Sequence, residues 1–271
     1  MLQAADLTFA YGDAPVVHGV SLDVPAGSLV GLIGPNGSGK TTMLRLLAGT
    51  RTPSRGFVTL DGVPLSSLSR SQVARRMAVV PQETHLAFDY SVLEVVLMGR
   101  SAHLGAFEIE GPRDVAIARA ALASTGAGAF ESRLFSTLSG GEKQRVVIAA
   151  AIAQITGDDR PDGAVLLLDE PTAALDLKYQ LGVASLLQAL QRERRLTIVV
   201  STHDLGFAAG LCRTIVMLKS GRVMAAGPAD EVLTPARVRA LYEVDVEIAR
   251  HPGTGRITVV PLATVETGPG T

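Results

Sequence analysis

The chain has a single cysteine, Cys212, in its 271 residues, so no disulfide can close within it and a reducing compartment fits. It lacks an excess of either charge. Its 25 basic residues face 26 acidic ones, which leaves no global field to draw it to nucleic acid or to an anionic membrane surface. The densest basic run, Arg192, Arg194 and Arg195, reads as the solvated end of a helix. Long apolar runs are missing too: Val146–Ala153 and Ala164–Leu168 fall well short of the roughly 18 residues that span a bilayer. The opening MLQAADLTFAYG has neither the basic start nor the continuous apolar stretch of a secretory signal, so no export is expected. Any membrane role is expected to be borrowed from a partner. No repeat of solenoid length is visible.

What the chain does have is apolar bulk, 47% of its residues, enough for one or two sizeable cores. Val20, Leu22 and Val24 alternate with polar residues, and SLVGLI, Ser28–Ile33, is a short apolar run stopped by glycine; both read as strands. From Lys40 the pattern turns helical and is expected to end near Gly49, with Pro53 beyond. FVTL enters a turn at Asp61 and Gly62. From Thr84 to Ile155 helical patterns replace strands, beginning with the capping-box spacing of Ser91 and Glu94. Strand and helix then alternate again: AVLLLD at 164–169, a long helix striped by Leu177, Leu181, Ala184, Leu187 and Leu190, and LTIVVS at 196–201. This alternation predicts a parallel sheet with helices on both faces. A hairpin is expected to turn at Ser220 and Gly221, and a second at Pro252–Gly255.

GPNGSGKT, comprising Gly34, Pro35, Asn36, Gly37, Ser38, Gly39, Lys40 and Thr41, fits G-x-x-x-x-G-K-[ST] between a strand and a helix. Its glycines let main-chain amides wrap phosphates, Lys40 reaches the β and γ oxygens, and the Thr41 hydroxyl can ligate Mg²⁺. LLLDE delivers Asp169 and Glu170 at the carboxyl end of a buried strand, where such sheets bind ligands. Asp169 is the candidate for indirect Mg²⁺ binding, and Glu170 for polarising an attacking water. His203 follows another strand and can reach the γ-phosphate. A second anion site is suggested by LSGGEKQ, where Ser139, Gly140 and Gly141 open a buried helix.

In order, GPNGSGKT, PQE with Gln82, LSGGE, LLLDEPT, AALD and STHD resemble the Walker A, Q-loop, signature, Walker B, D-loop and switch-histidine motifs of ABC-transporter ATPases. The resemblance implies a P-loop NTPase (RecA-like) α/β core with a parallel sheet, an antiparallel β subdomain and a helical signature-motif subdomain. It implies a nucleotide-binding domain over residues 1–243 with the helical part, about 84–155, inserted, and an extension over 244–271 made of a hairpin and a frayed tail. ATP and Mg²⁺ are the implied cofactors. Tyr11 is assigned to adenine stacking, Thr42 to the phosphate loop, Gln82 to sensing Mg²⁺ and water, Glu170 to the general base, Asp176 to a cross-subunit loop, and His203 to the γ-phosphate. The resemblance also says why one domain carries two anion sites: two subunits pack head to tail, so the signature turn of one closes on the nucleotide held by the other.

One motif set, no long heptad insertion and no membrane span leave a free-standing transporter subunit, peripheral on the cytoplasmic face of the inner membrane. AFDYSVLEVVLMGRSAHLG, 87–105, and AALDLKYQ, 173–180, resemble importers of iron-siderophore complexes, haem and cobalamin, with Ala102 where proline is usual and Tyr179 where histidine is. The polar link ITGDDRPDGA, 155–164, is longer than usual, as in some haem importers. The implied partners are a second copy, integral-membrane permease subunits and, indirectly, a substrate-binding protein, with no nucleic acid. The alternative is a soluble, nucleotide-switched assembly factor. The permease is expected to dock within Leu86–Gly105, where Leu86, Phe88, Val92 and Leu97, rimmed by Arg100 and His103, either form the contact or, for some of them, pack inside the insert.

Overall fold

The computed structural model describes residues 1–84, 86–157, 163–173 and 175–265. The expected frayed tail, 266–271, and the middle of the 155–164 link lie outside them. The chain begins with β1 (Leu2–Tyr11) and β2 (Ala14–Val24), then β3 (Leu29–Ile33), the phosphate-loop helix α1 (Lys40–Leu47), β4 (Arg55–Leu60), β5 (Val63–Pro64), α2 (Arg70–Ala74) and β6 (Met77–Val80). Three helices follow without an intervening strand, α3 (Val92–Met98), α4 (Pro112–Ser124) and α5 (Gly140–Ile155). Alternation resumes with β7 (Val165–Asp169), α6 (Leu177–Arg194), β8 (Thr197–Thr202), α7 (Leu205–Leu211), β9 (Thr214–Lys219) and β10 (Arg222–Pro228). The described chain closes with α8 (Ala229–Val232), α9 (Pro235–Tyr242), β11 (Val244–Arg250) and β12 (Ile257–Thr264).

Six strands form the central sheet in the order β10-β9-β3-β8-β7-β6, parallel except for the edge strand β10. Every residue of β3, β7 and β8 is buried, as expected of strands covered on both faces. The two-residue period of a strand then sorts their side chains into two cores. Leu29, Ile33, Leu166, Leu168, Ile198 and Val200 face a core shared with α3, α4, α5 and α6. Val30, Leu32, Val165, Leu167 and Val199 face the other, shared with α1 and a four-stranded antiparallel sheet of order β2-β1-β4-β5. This is the P-loop NTPase architecture with its antiparallel and helical parts.

The turns follow their residues. Asp61 and Gly62 (φ 52° and 78°) join β4 to β5, and Ser220 and Gly221 (φ 46° and 71°) join β9 to β10, both with the paired positive φ of a tight hairpin turn. The α6 stripe differs from its sequence reading. Val183, Leu187 and Leu190 carry its buried face, whereas Leu177 and Leu181 are 70% and 56% exposed. The helix begins outside the core, so a helical period identifies a face but not how much of it is covered. Among the described residues, no helix is long and apolar enough to cross a membrane.

Candidate functional site

β3 runs into Gly34, the first residue of the phosphate loop. A Cβ there would lie 2.2 Å from the Leu218 carbonyl oxygen and 2.6 Å from Ser38 Oγ, so only glycine lets the loop leave the sheet this close to β9. The loop is pinned from behind: Gly221 N donates to Ser38 O at 2.9 Å, and His18 N donates to Gly221 O at 2.9 Å. Gly39, the residue before α1, has φ 100°, a left-handed conformation that favours glycine. Thr42 is buried in the first turn of α1, beside the partly buried Thr41. Ser38 Oγ is buried with no hydrogen-bond partner, an orphan that a phosphate oxygen on this loop would satisfy. Asn36 and Gly37 are exposed at its tip, and Pro35 O accepts from Lys40 Nζ at 3.2 Å.

Lys40 is 5% exposed; its Nζ donates to Gly34 O at 2.8 Å and stands 3.3 Å from Glu170 Oε1. The other carboxylate oxygen of Glu170 lies 3.0 Å from His203 Nδ1. The cation, the carboxylate and the imidazole are thus strung together at the carboxyl ends of β3, β7 and β8. Glu170 has φ 44°, a left-handed backbone that is uncommon outside glycine and concentrates at functional sites. It is held there by its own N–H, which donates to Ser201 Oγ at 3.0 Å and to Ser201 O at 3.1 Å. Ser201 Oγ in turn donates to Asp169 Oδ1 at 2.6 Å. Sequence reasoning passed over Ser201; its pairing with Asp169 across β7 and β8 depends on strand order, which no local pattern records.

Thr41, Gln82 and Asp169 line one cavity of about 220 Å³ between α1 and the segment after β6. A hydroxyl, an amide oxygen and a carboxylate form the all-oxygen donor set of a hard cation such as Mg²⁺, so the residues present fit the metal that the motifs imply. Tyr11 stands at the edge of the loop. Its ring makes a T-shaped contact with Phe9 at 4.9 Å between centroids, Arg51 lies over it at 5.7 Å, and it is 40% exposed. Hydrogen bonding from Thr42, with Arg45 and Arg51 adding to it against a smaller effect of burial, holds its phenol below the usual tyrosine range.

The remaining candidates form a second cluster. Ser139 caps α5: its Oγ accepts from Glu142 N at 3.4 Å, while Ser139 N donates to Glu142 Oε2 at 2.8 Å. That reciprocal box leaves Gly140 exposed in the first turn. The bond to Ser139 N, then the bond to its hydroxyl, holds the Glu142 carboxyl below its ordinary value. Asp176 caps α6 by accepting from Tyr179 N at 3.2 Å, and the Tyr179 ring fills the space beside Gly141, where a Cβ would lie 2.1 Å from Cδ1. Signature turn and D-loop are therefore joined to each other through Tyr179, while Lys40, Glu170 and His203 are joined elsewhere.

A family model for the ABC transporter matches residues 17–173, more than half of the chain, and spans the phosphate loop, the signature turn and the Walker B strand. The chain belongs to the ABC transporter family. It is an ABC-type ATPase, and its nucleotide is ATP. The hemin import ATP-binding protein HmuV of Pseudomonas putida is 40% identical over 262 residues, covering 96% of this chain and 99% of the relative. The HmuV of Streptomyces coelicolor is 41% identical over 95% of this chain and 89% of its own. The cobalamin import ATP-binding protein BtuD of Halobacterium salinarum is 39% identical over 91% of this chain, which spans 60% of that relative's length. Among solved structures, an inward-facing ABC transporter of metal-chelate type superposes with a TM-score of 0.82 at 30% identity, covering 96% of this chain and 97% of the other. A dimeric bacterial ABC transporter cassette superposes with a TM-score of 0.72 at 29% identity, over 84% and 99%.

Proposed function

We propose that this chain is the ATP-hydrolysing subunit of an importer that takes up an iron chelate, siderophore or haem, or cobalamin. It works as a homodimer with integral-membrane permease subunits, supplied by a substrate-binding protein, peripheral on the cytoplasmic face of the inner membrane. The observation that carries the catalytic part is the Lys40–Glu170–His203 chain of contacts beside Asp169. The cargo class rests on the relatives, which are named for hemin and cobalamin import.

In this reading, amides of residues 34–42 wrap the phosphates, Tyr11 stacks on adenine, and Lys40 turns from Glu170 to the β and γ oxygens. Thr41, Gln82 and, indirectly, Asp169 would hold Mg²⁺, which would supply charge to offset that of those oxygens. Glu170, released by Lys40, accepts a proton from the attacking water, and His203 donates to the γ-phosphate. Ser139, Gly140 and Gly141 of a second copy close the site with a helix N-terminus, and Asp176 lies at the junction. What supports the pairing is that Ser139, Gly140 and Asp176 are exposed, with Leu177 and Leu181 exposed beside them. ADP lacks the γ-phosphate that the second copy grips, so hydrolysis loosens the pair.

Residues 1–243 then form the nucleotide-binding domain, with about 84–155 as its helical insert, and the hairpin from Val244 onward is an extension. Of the side chains expected to dock the permease, Phe88 is exposed, and the others turn inward. Val92 is wholly buried, Leu86 and Leu97 pack on the core, Arg100 is buried against Asp114, and His103 is turned onto Gln154 O at 2.7 Å. These side chains hold the insert together. Among the described residues of the insert, the large apolar side chains left exposed are Phe88, Met98, Leu134, Phe107 and Ile109, and the last of these borders a cleft of about 840 Å³ between α2 and the insert. Glutamate at Phe107 or Ile109 is expected to abolish transport by the assembled complex while leaving the ATPase of the isolated subunit unchanged. Copurification of the tagged chain with a polytopic membrane protein tests the importer reading, and recovery of the chain without one from solubilised membranes contradicts it.

A further inference from the structure

The carboxyl end of α5 is fastened on two sides. Toward the insert, Arg100 Nη1 donates to Ala153 O at 2.6 Å, the Thr156 hydroxyl donates to Ile152 O at 2.7 Å, and His103 Nε2 lies 2.7 Å from Gln154 O. The carbonyls that a helix end leaves without partners are thus met by the insert's own side chains. The Gln154 side chain turns the other way. Its Nε2 donates to Ala74 O at 2.9 Å and to Met77 O at 3.0 Å, the last residue of α2 and the first of β6. Capping of α5 does not account for this amide, because both of its protons go to the core. α2 returns the grip: Ser71 Oγ and, just beyond the helix, Arg75 Nε each donate to Ala102 O of the insert at 2.9 Å.

β6 leads into Gln82, and α5 starts from the Ser139 turn, so the bond from Gln154 to Met77 O joins the far ends of the two elements that deliver them. α5 is an unbroken helix of 16 residues, about 24 Å long at the usual rise per residue. A tilt of about 10° at Gln154 would then move Ser139 by about 4 Å, against the few tenths of an ångström that a hydrogen bond tolerates. None of the bonds named above involves residues 34–42, so the phosphate loop of the same chain does not depend on them.

We propose that Gln154 is a positioning residue of the composite ATPase site. By fastening α5 to α2 and β6, with Ser71 and Arg75 holding Ala102, it sets the angle at which Ser139 meets the nucleotide of the second copy. The inference rests on the head-to-tail reading above.

The test measures two affinities in full-length Glu170→Gln chains: fluorescent-ATP binding at a chain concentration too low for pairing, and ATP-driven pairing by sedimentation. Gln154→Leu removes both donors and is expected to raise the dissociation constant of the pair about tenfold, the scale of one or two hydrogen bonds, with ATP affinity of the single chain changed by less than about twofold. Ser71→Ala combined with Arg75→Met releases Ala102 from exposed positions, so melting without nucleotide stays level while pairing weakens. A merely structural role would lower melting and ATP affinity together. Pairing at full strength in Gln154→Leu overturns the proposal, as does an ATP affinity that falls as far as the pairing does. Should Gln154→Leu fail to fold, the double variant decides by the same two measurements. Failure of Glu170→Gln itself to pair with ATP would instead overturn the head-to-tail reading.

Discussion

Lys40 Nζ and Glu170 Oε1 stand 3.3 Å apart, 5% and 12% exposed, so the residue expected to bind phosphate and the residue expected to activate water neutralise one another. Phosphate binding must separate them. Glu170→Gln removes the carboxylate's hold on Lys40 and its capacity to take a proton, so ATP binding is expected to persist while turnover falls by about 10²–10⁴. Hydrolysis rate and gel filtration with ATP check both, with an ATP-bound dimer accumulating. Hydrolysis at the wild-type rate takes Glu170 out of the role of base.

Lys40→Ala leaves the loop without its buried cation, and fluorescent-ATP titration is expected to find affinity lowered by tenfold or more, about 1.4 kcal/mol, as for a lost charge-assisted hydrogen bond. Unchanged affinity would place the nucleotide elsewhere than at Gly34–Thr42.

Gly141→Ala drives a methyl into the Tyr179 ring, 2.1 Å from Cδ1, and overpacking of this kind costs about 1–3 kcal/mol. Reducing the ring with Tyr179→Ala is expected to remove most of that cost, so the double variant melts in urea closer to Tyr179→Ala than the sum of the single effects implies. Strict additivity would mean that the ring moves freely and does not join the signature turn to the D-loop.

The insert has an acid limit set by Asp114. A side-chain hydrogen bond from Arg100 at 2.9 Å, then the Gly111 N–H, hold its carboxyl below the ordinary 3.8. A lowered folded-state pKa adds stability that is fully present above 3.8 and is lost as pH falls through the lower folded value. Asp114→Asn leaves Arg100, only 4% exposed, without its counter-charge. It is expected to cost about 3 kcal/mol near neutrality, and the gap from wild type closes in acid. Urea melts between pH 7 and pH 2 check this; a gap that is constant with pH means the carboxylate's charge is not what matters.

How much of this was legible in the sequence follows from the range of each interaction. The phosphate loop, the β3, β7 and β8 runs and the Ser220–Gly221 turn are local patterns, and each folds as its residues imply. Ser201 is not local: its partner Asp169 is set by which strands are neighbours. Of the α6 stripe, Leu187 and Leu190 are buried and Ala184 packs against the core, but periodicity neither picked out the buried Val183 nor placed Leu177 and Leu181 beyond the covering core. In the insert, Val92 and Arg100 read equally well as surface and as interior until Asp114 and the α5 carbonyls supplied Arg100 with partners.

The central claim is that Ser139 acts on the nucleotide bound by another copy. In a Glu170→Gln background, which retains ATP, a Lys40→Ala chain and a Ser139→Arg chain carrying different tags are mixed, the heterodimer is isolated, and trapped ATP is counted. Head-to-tail closure puts both defects in one site and leaves the other intact, so about one ATP is expected per heterodimer, with almost none in either homodimer. If Ser139 serves its own chain's nucleotide, each site carries one defect, and a heterodimer that traps no ATP contradicts the account.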